Sequence, residues 1–281
     1  MNWNVINKKD LNFSTSLNWS KNNNEVTDLY GTETINLSPG ASVSSRAIVG
    51  HPLGVLYGTG SKTNADGSFD LDANGFPQIT SSPVILGDPN PDWRGGLGLH
   101  LQYKKLNLNV VVEHSQGGDF SPRTLWVLNR FGTTEETANR MTLDQDLVNY
   151  KGNTIAAGTV VRGNVRDFGA GPVLLDENWY RTGIGGGFGD NQAYNFAVYD
   201  ATFTKVRELS LSYLLDSEKF KNATGLSNVM LTLTGRNLIN LNNVPGIDPE
   251  TNQYGVGQAQ GLDYFTNPQT KSVLFSVSFN Y

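Results

Sequence analysis

Residues Ser272–Tyr281, SVLFSVSFNY, decide how the rest of the chain is read. Val273, Phe275, Val277, Phe279 and Tyr281 fall at alternate positions, with Ser272, Ser276, Ser278 and Asn280 between them and Leu274 as the exception. A period of two sends successive side chains to opposite faces of a strand. This segment therefore has one β-branched and aromatic face and one small polar face. The pattern repeats upstream. Val229, Leu231 and Leu233 alternate with Met230, Thr232, Thr234 and Arg236, and Leu209, Leu211 and Tyr213 with Glu208, Ser210 and Ser212. Leu97, Leu99, Leu101 and Tyr103 alternate with Gly98, His100 and Gln102. Leu106, Leu108, Val110 and Val112 do so less cleanly with Asn107, Asn109, Val111 and Glu113. Leu11, Phe13, Leu17 and Trp19 alternate with Asn12, Ser14, Ser16 and Asn18, and Trp3 and Val5 end a further strand. Seven strands are expected.

Half-apolar strands also build soluble sandwiches, so alternation alone leaves the environment open. Length and connection carry the argument further. The clear strands run about 9–11 residues, the number a tilted strand needs to cross a bilayer. Asn7–Asp10 and Lys104–Lys105 are tight turns and Asp216–Asn228 is moderate, whereas Ser20–Asp92, Gly117–Asp200 and Asn240–Thr270 are long. Short turns at one end and long loops at the other mark an outer-membrane barrel. With the long loops outside, the last strand runs inward and Tyr281 ends on the periplasmic side. Ala47–Tyr57 (AIVGHPLGVLY) also has an extended pattern. Parity requires it to add two wall strands or none, and none is the expectation.

Seven strands are too few to enclose a useful interior, and an open arc leaves two unpaired edges. Residues 1–281 are therefore expected to be the C-terminal arc of a larger barrel whose plug and N-terminal strands lie elsewhere. Met1–Asp10 lacks the basic start and apolar core of a signal peptide, which points the same way.

Composition narrows the function. Charged residues are 17% and glycines number 31, a chain poor in helix formers and rich in turn formers. A net charge of −5 with no basic stripe argues against nucleic acid. The absence of cysteine removes zinc ribbons, thiol nucleophiles and disulfide scaffolds. No apolar run reaches the ~18 residues of a transmembrane helix. Neither a Gly-X-Ser-X-Gly elbow nor a paired-carboxylate constellation stands out. Gly183–Gly189 (GIGGGFG) is not followed by Lys-Ser or Lys-Thr, so it reads as a flexible external loop rather than a phosphate cradle. His51, His100 and His114 have no partner at ligand spacing. The expectation is a protein that is not an enzyme.

Several segments resemble the SusC/RagA family of TonB-dependent outer-membrane receptors. They are Leu17–Leu29 (LNWSKNNNEVTDL), Val49–Gly58 (VGHPLGVLYG), Gly87–Leu101 (GDPNPDWRGGLGLHL), Tyr199–Tyr213 with its core FTKVRELSLSY, and Val229–Asn237 (VMLTLTGRN) with the later Gly246–Glu250 (GIDPE). All stand in the family's order and together cover most of the chain outside about residues 121–195. The resemblance implies an all-β antiparallel barrel of about 22 strands with a plugged lumen, in the outer membrane of a Gram-negative bacterium. It implies nutrient import energised by the TonB complex, which engages a part of the protein absent from this chain. It also implies a SusD-like surface lipoprotein as partner, and barrel-assembly machinery that reads the terminal aromatic strand at Phe279 and Tyr281.

Candidate sites follow from the loops. Trp126, Trp179, Tyr180, Tyr194, Phe196, Tyr254, Tyr264 and Phe265 fall in external connections. Their flat rings suit stacking on an oligosaccharide or peptide, with Trp126, Trp179, Tyr180, Tyr254 and Tyr264 as substrate-binding candidates; packing between loops is the competing reading. Asp70, Asp72, Asn74 and Gly75 fit the first half of a calcium loop, but Ser81 stands where a carboxylate is wanted. A plain turn is the favoured reading there. Two other functions compete: a soluble β-sandwich adhesin or carbohydrate-binding module, and an all-β hydrolase, which would need two carboxylates in one cleft.

The terminal strand provides a test. In an antiparallel barrel it pairs on both sides, and Phe279 and Tyr281 suit the periplasmic aromatic girdle. Deleting Phe279–Tyr281 from the full-length protein is expected to lower sharply the heat-modifiable, surface-accessible barrel recovered from outer membranes. Wild-type recovery would mean the terminus has no assembly role.

Overall fold

The computed structural model describes residues 1–38, 42–186, 192–255, 257 and 259–281. Gly187, Phe188 and Gly189 of the glycine-rich segment lie outside the described residues.

Seven strands form one sheet: β1 (Asn2–Lys8), β2 (Leu11–Ser20), β3 (Trp93–Tyr103), β4 (Leu106–Gln116), β5 (Phe203–Leu215), β6 (Asn228–Asn242) and β7 (Ser272–Asn280). Every strand pairs antiparallel with its neighbours in sequence, giving an up-and-down wall. At 13 and 15 residues, β5 and β6 are longer than expected. Their extra length lies at the loop end, where Phe203 pairs with Asn242, past the Arg236–Ser272 pair at which β7 begins. Lys105 is ion-paired with Asp216, so the β3–β4 turn and the β5–β6 connection share one end of the wall.

Burial in the wall is inverted relative to a soluble sheet. Leu211, Leu233 and Phe275 lie in register across three strands and are 44%, 50% and 63% exposed. The small polar residues of the opposite face are buried: Ser210, Ser212 and Thr234. Ser210 bonds Thr234 and Ser212 bonds Thr232, both at 3.0 Å, and His100 bonds Asn109 at 2.6 Å. Among the described residues no second sheet covers the apolar face. That removes the sandwich reading, which needs those residues packed between two sheets. The fold is a partial antiparallel β-barrel.

The hydrophobic core sits in the loops. L1 (21–92) contains a four-stranded sheet of Thr34–Asn36, Ser44–Ile48, Val55–Gly58 and Val84–Gly87, separate from the wall. The extended pattern at Ala47–Tyr57 belongs to that sheet and adds no wall strand. L2 (117–202) carries the helix Arg123–Phe131, which Gly132 ends with φ 68°, a left-handed angle that suits glycine. It also carries three short hairpins and the helix Glu177–Arg181. Phe76 of L1 is packed among Phe168, Val173, Trp179 and Ile184 of L2, all buried. L3 (243–271) joins through Leu262–Asp263, which pairs parallel with Ser121–Pro122.

Facing predicts opposite outcomes for one substitution at two sites. Leu209→Arg puts a charge on the outer face near the middle of the wall and is expected to cost about 3 kcal/mol in lipid. Val111→Arg lies on the polar face opposite Glu208 and is expected to be tolerated. Urea unfolding in lipid vesicles measures both, and equal costs would contradict the assigned facing.

Candidate functional site

The outer face carries an apolar band with aromatic rims. Trp19 stands at the loop end, 63% exposed, with Trp93 and His114 tilted against each other on the next two strands, ring centroids 4.8 Å apart. Tyr103, Tyr213 and Phe279 stand exposed at the other end. The 11 residues of β3 join the two rims. At about 3.3 Å per residue they reach about 33 Å, or about 25 Å when tilted by about 40°. That is the height of a barrel's lipid-facing band.

Above the wall, the three loops enclose a cavity of about 200 Å³. The helix Arg123–Phe131 contributes Trp126, the turn Tyr194–Ala197 contributes Tyr194, and L3 contributes Tyr254, Asp263 and Tyr264. The Arg123 guanidinium lies 4.6 Å over the Tyr264 ring, and Thr124 accepts the Phe265 N–H at 2.6 Å. These contacts dock L3 on the start of the helix.

The structure divides the aromatic candidates. Trp126, Tyr254 and Tyr264 come together in this cavity. Trp179 and Tyr180 do not: both are buried in the L1–L2 core. The Tyr180 hydroxyl donates to Glu136 at 3.0 Å and accepts from Asn164 at 2.9 Å. Both rings pack in that core, and Tyr180 also lines a separate cleft of L2 with Asn129, Arg162 and Arg181. At the suspected calcium loop, Asp72 Oδ1 accepts the Asn74 and Phe76 N–H groups at 2.8 and 2.9 Å, while Asp70 accepts from Gln78 at 3.2 Å. Gly75 takes φ 84° in the same turn. Asp70, Asp72 and Asn74 therefore build a tight turn that plants Phe76 in the core. Among the described residues, no three His, Asp or Glu side chains are grouped to hold a metal ion.

Sequence reading missed a charged clasp between wall and loop. In β5, Arg207 is an extra residue at a register shift between Val206 and Glu208. The bulge brings Lys205 and Arg207 onto the polar side together. Lys205 is 1% exposed and bonds Asp248 at 2.6 and 2.8 Å, and it also pairs with Glu250. Arg207 bonds Glu113 of β4 at 2.7 Å and pairs with Glu250. The available signal was the run Lys205-Val206-Arg207-Glu208, where alternation breaks. Burial alone would raise the Glu250 carboxyl, but hydrogen bonds from Arg207 and Lys205 outweigh it and hold it at about 2. This clasp fixes the start of L3, whose far part lines the cavity.

No family model matches the chain. Its sequence is 26% identical over 306 residues to TonB-dependent receptor P3 of Formosa agariphila, covering 98% of this chain and 27% of that protein. TonB-dependent receptor P26 of the same organism is 24% identical over 313 residues, covering 99% of this chain and 28% of that protein. Among solved structures, the RagAB peptide importer in its closed-closed state superposes with a TM-score of 0.62 at 16% identity, over 99% of this chain and 28% of that one. The RagAB peptide transporter gives 0.61 at 17% identity, with the same coverage. The chain is thus similar to TonB-dependent receptors along its whole length, and it spans a little over a quarter of the length of the curated relatives it matches.

The clasp makes a pH-dependent prediction. With Glu250 lowered from 4.5 to about 2, its contribution to docking is complete above about 4.5, declines as pH falls further, and is gone below about 2. Glu250→Gln should remove about 1.5–3 kcal/mol at neutral pH, the worth of a charged hydrogen bond. A spin label on exposed Pro245 should be mobile in that variant at pH 7, and in the parent only below about pH 4.5. Equal label mobility in parent and variant at pH 7 would show that the clasp does not hold the loop.

Proposed function

We propose that the chain forms part of the wall and external loops of an outer-membrane TonB-dependent receptor of a Gram-negative bacterium that imports a nutrient. The observation that carries this is the inverted wall: apolar residues point outward between two aromatic rims, and polar residues are bonded on the other side. Whole-length similarity to TonB-dependent receptors supports the same reading. The two free edges, of β1 and β7, require further strands, because unpaired backbone cannot face lipid. In the proposed protein those strands and the plug come from the remaining chain, and residues 1–281 are its C-terminal barrel portion.

Further roles follow from that reading. The TonB complex engages the remaining chain and energises import. A SusD-like surface lipoprotein caps the loops from outside, as in a SusCD-like complex. Barrel-assembly machinery reads the strand ending in Phe279 and Tyr281. The cargo is an oligosaccharide or a peptide, held at the loop end of the barrel by Trp126, Tyr254 and Tyr264. The protein carries cargo without chemical change, and no residue is assigned a catalytic role.

Fractionation and energetics test this together. The full-length protein is expected in outer membranes, with L1–L3 cut by protease added to intact cells. Cargo uptake should stop when a protonophore collapses the proton-motive force, while surface binding persists. A SusD-like lipoprotein should co-purify in mild detergent. Recovery in the soluble fraction, or uptake indifferent to the protonophore, would overturn the reading.

A further inference from the structure

All three short connections, at the end of the wall away from the large loops, carry a pair of lysines. They are Lys8 and Lys9 at the β1–β2 turn, Lys104 and Lys105 at the β3–β4 turn, and Lys219 and Lys221 between β5 and β6. Backbone bonds lace these connections into one rim. The Lys104 N–H donates to the Asp10 carbonyl at 2.8 Å, and the Leu214 N–H to the Lys105 carbonyl at 3.0 Å. Six lysines against the carboxylates of Asp10, Asp216 and Glu218 give the rim a side-chain charge of +3, in a chain whose net charge is −5. The acidic excess therefore lies elsewhere.

Two of the six are committed within the protein, Lys105 to Asp216 and Lys221 to Glu218. Lys8, Lys9, Lys104 and Lys219 are exposed and make no ion pair among the described residues. The Lys104 ammonium lies 5.4 Å over the ring of Tyr103, which stands exposed on the outward aromatic rim. That contact turns its charge toward the lipid-facing side of the wall. Tyr213 stands exposed on the same rim. The helix Glu218–Thr224 has no buried residue and sets Phe220 between Lys219 and Lys221. Lysines beside outward rings, at the edge of an apolar band, lie at the depth of lipid head groups. Like charges gathered there repel one another until an anion settles among them.

We propose that this rim binds the head group of an anionic phospholipid, of the phosphatidylglycerol type, in the leaflet that meets the short turns. An ammonium group offers three N–H donors and no acceptor, which suits the oxygens of a phosphodiester. A zwitterionic lipid presents the same phosphate beside its own cation, which the lysines repel. A head group with net negative charge is therefore preferred. Its acyl chains lie along Tyr103, Tyr213 and the apolar face that these rings border. The inference rests on the reading of the wall as embedded in a membrane, and the two are tested apart.

The full-length protein is reconstituted in phosphatidylcholine vesicles holding a trace of spin-labelled phosphatidylglycerol or spin-labelled phosphatidylcholine. The label immobilised at the protein surface should favour phosphatidylglycerol by about threefold or more. Combining Lys8→Gln, Lys9→Gln, Lys104→Gln and Lys219→Gln should bring that ratio close to one. A control combining Lys21→Gln, Lys62→Gln, Lys151→Gln and Lys271→Gln removes the same charge from the loops and should keep the preference. Heat-modifiable mobility shows that both variants form the barrel. Equal immobilisation of the two lipids by the parent would overturn the site. So would a preference that survives the rim substitutions, or one lost equally in the control. A parent without lipid preference that binds polyglutamate only through the rim lysines would assign them to an acidic polypeptide and also overturn it. If both labels stay mobile, no wall meets lipid, and the membrane reading falls with the site. Immobilisation without preference removes the site and leaves that reading intact.

Discussion

The requirement that every backbone N–H and C=O at membrane depth find a partner within the protein governs this molecule. A meander of antiparallel strands meets it between neighbours, and the outward side chains are then free to be apolar. Leu211, Leu233 and Phe275 face outward for that reason. The polar side chains on the other face pair across strands, as Ser210 does with Thr234. Because the wall directs its apolar groups at lipid, it keeps almost none for an internal core.

That displaces the core into the loops, which cohere by packing on one another. They do so by interlocking. Phe76 of L1 packs against Trp179 of L2 with ring centroids 5.7 Å apart. Thr59 donates to the Gln192 carbonyl at 2.7 Å, and Ser61 bonds Asn195 at 2.8 and 3.0 Å. L3 is the least rooted of the three by packing, and charge compensates. Lys205 and Arg207 hold Asp248 and Glu250 where apolar contact is sparse. Ion pairs of this kind are specific about position, because moving either partner strands a buried charge.

The wall was legible in the sequence because its two constraints act residue by residue. Lipid on one side and neighbouring polar groups on the other impose a strict period of two, so Val273–Phe279 could be assigned by counting. Loop sites are set by contacts between residues far apart in sequence, and no period records these. Trp179 and Trp126 are indistinguishable as letters: both are aromatic residues in long connections. One is enclosed by Phe76 and Phe168, the other borders a cavity, and only the fold of L1 against L2 separates them. Asp263 carried no signal at all, since its burial depends on a parallel pairing with residues about 140 positions earlier. The clasp was half legible. GIDPE and FTKVREL both stood out as family-like segments, but nothing local showed that they meet.

Polar satisfaction is distributed unevenly between the wall and the loops. On the polar face of β5 and β6 the hydroxyls are bonded in pairs, Ser210 with Thr234 and Ser212 with Thr232. At the junction of the loops, buried Trp126 Nε1 and Asp263 Oδ2 are left unmet. Each such atom costs a folded protein about 1–3 kcal/mol, a large share of a typical stability of about 5–15 kcal/mol. Loops locked together by a shared core and a charged clasp can carry that cost without rearranging to relieve it. A mobile loop would turn such polar atoms to water. The shared core and the clasp are thus what keep such atoms buried, and the inverted wall, whose own apolar groups face outward, is why that core lies in the loops.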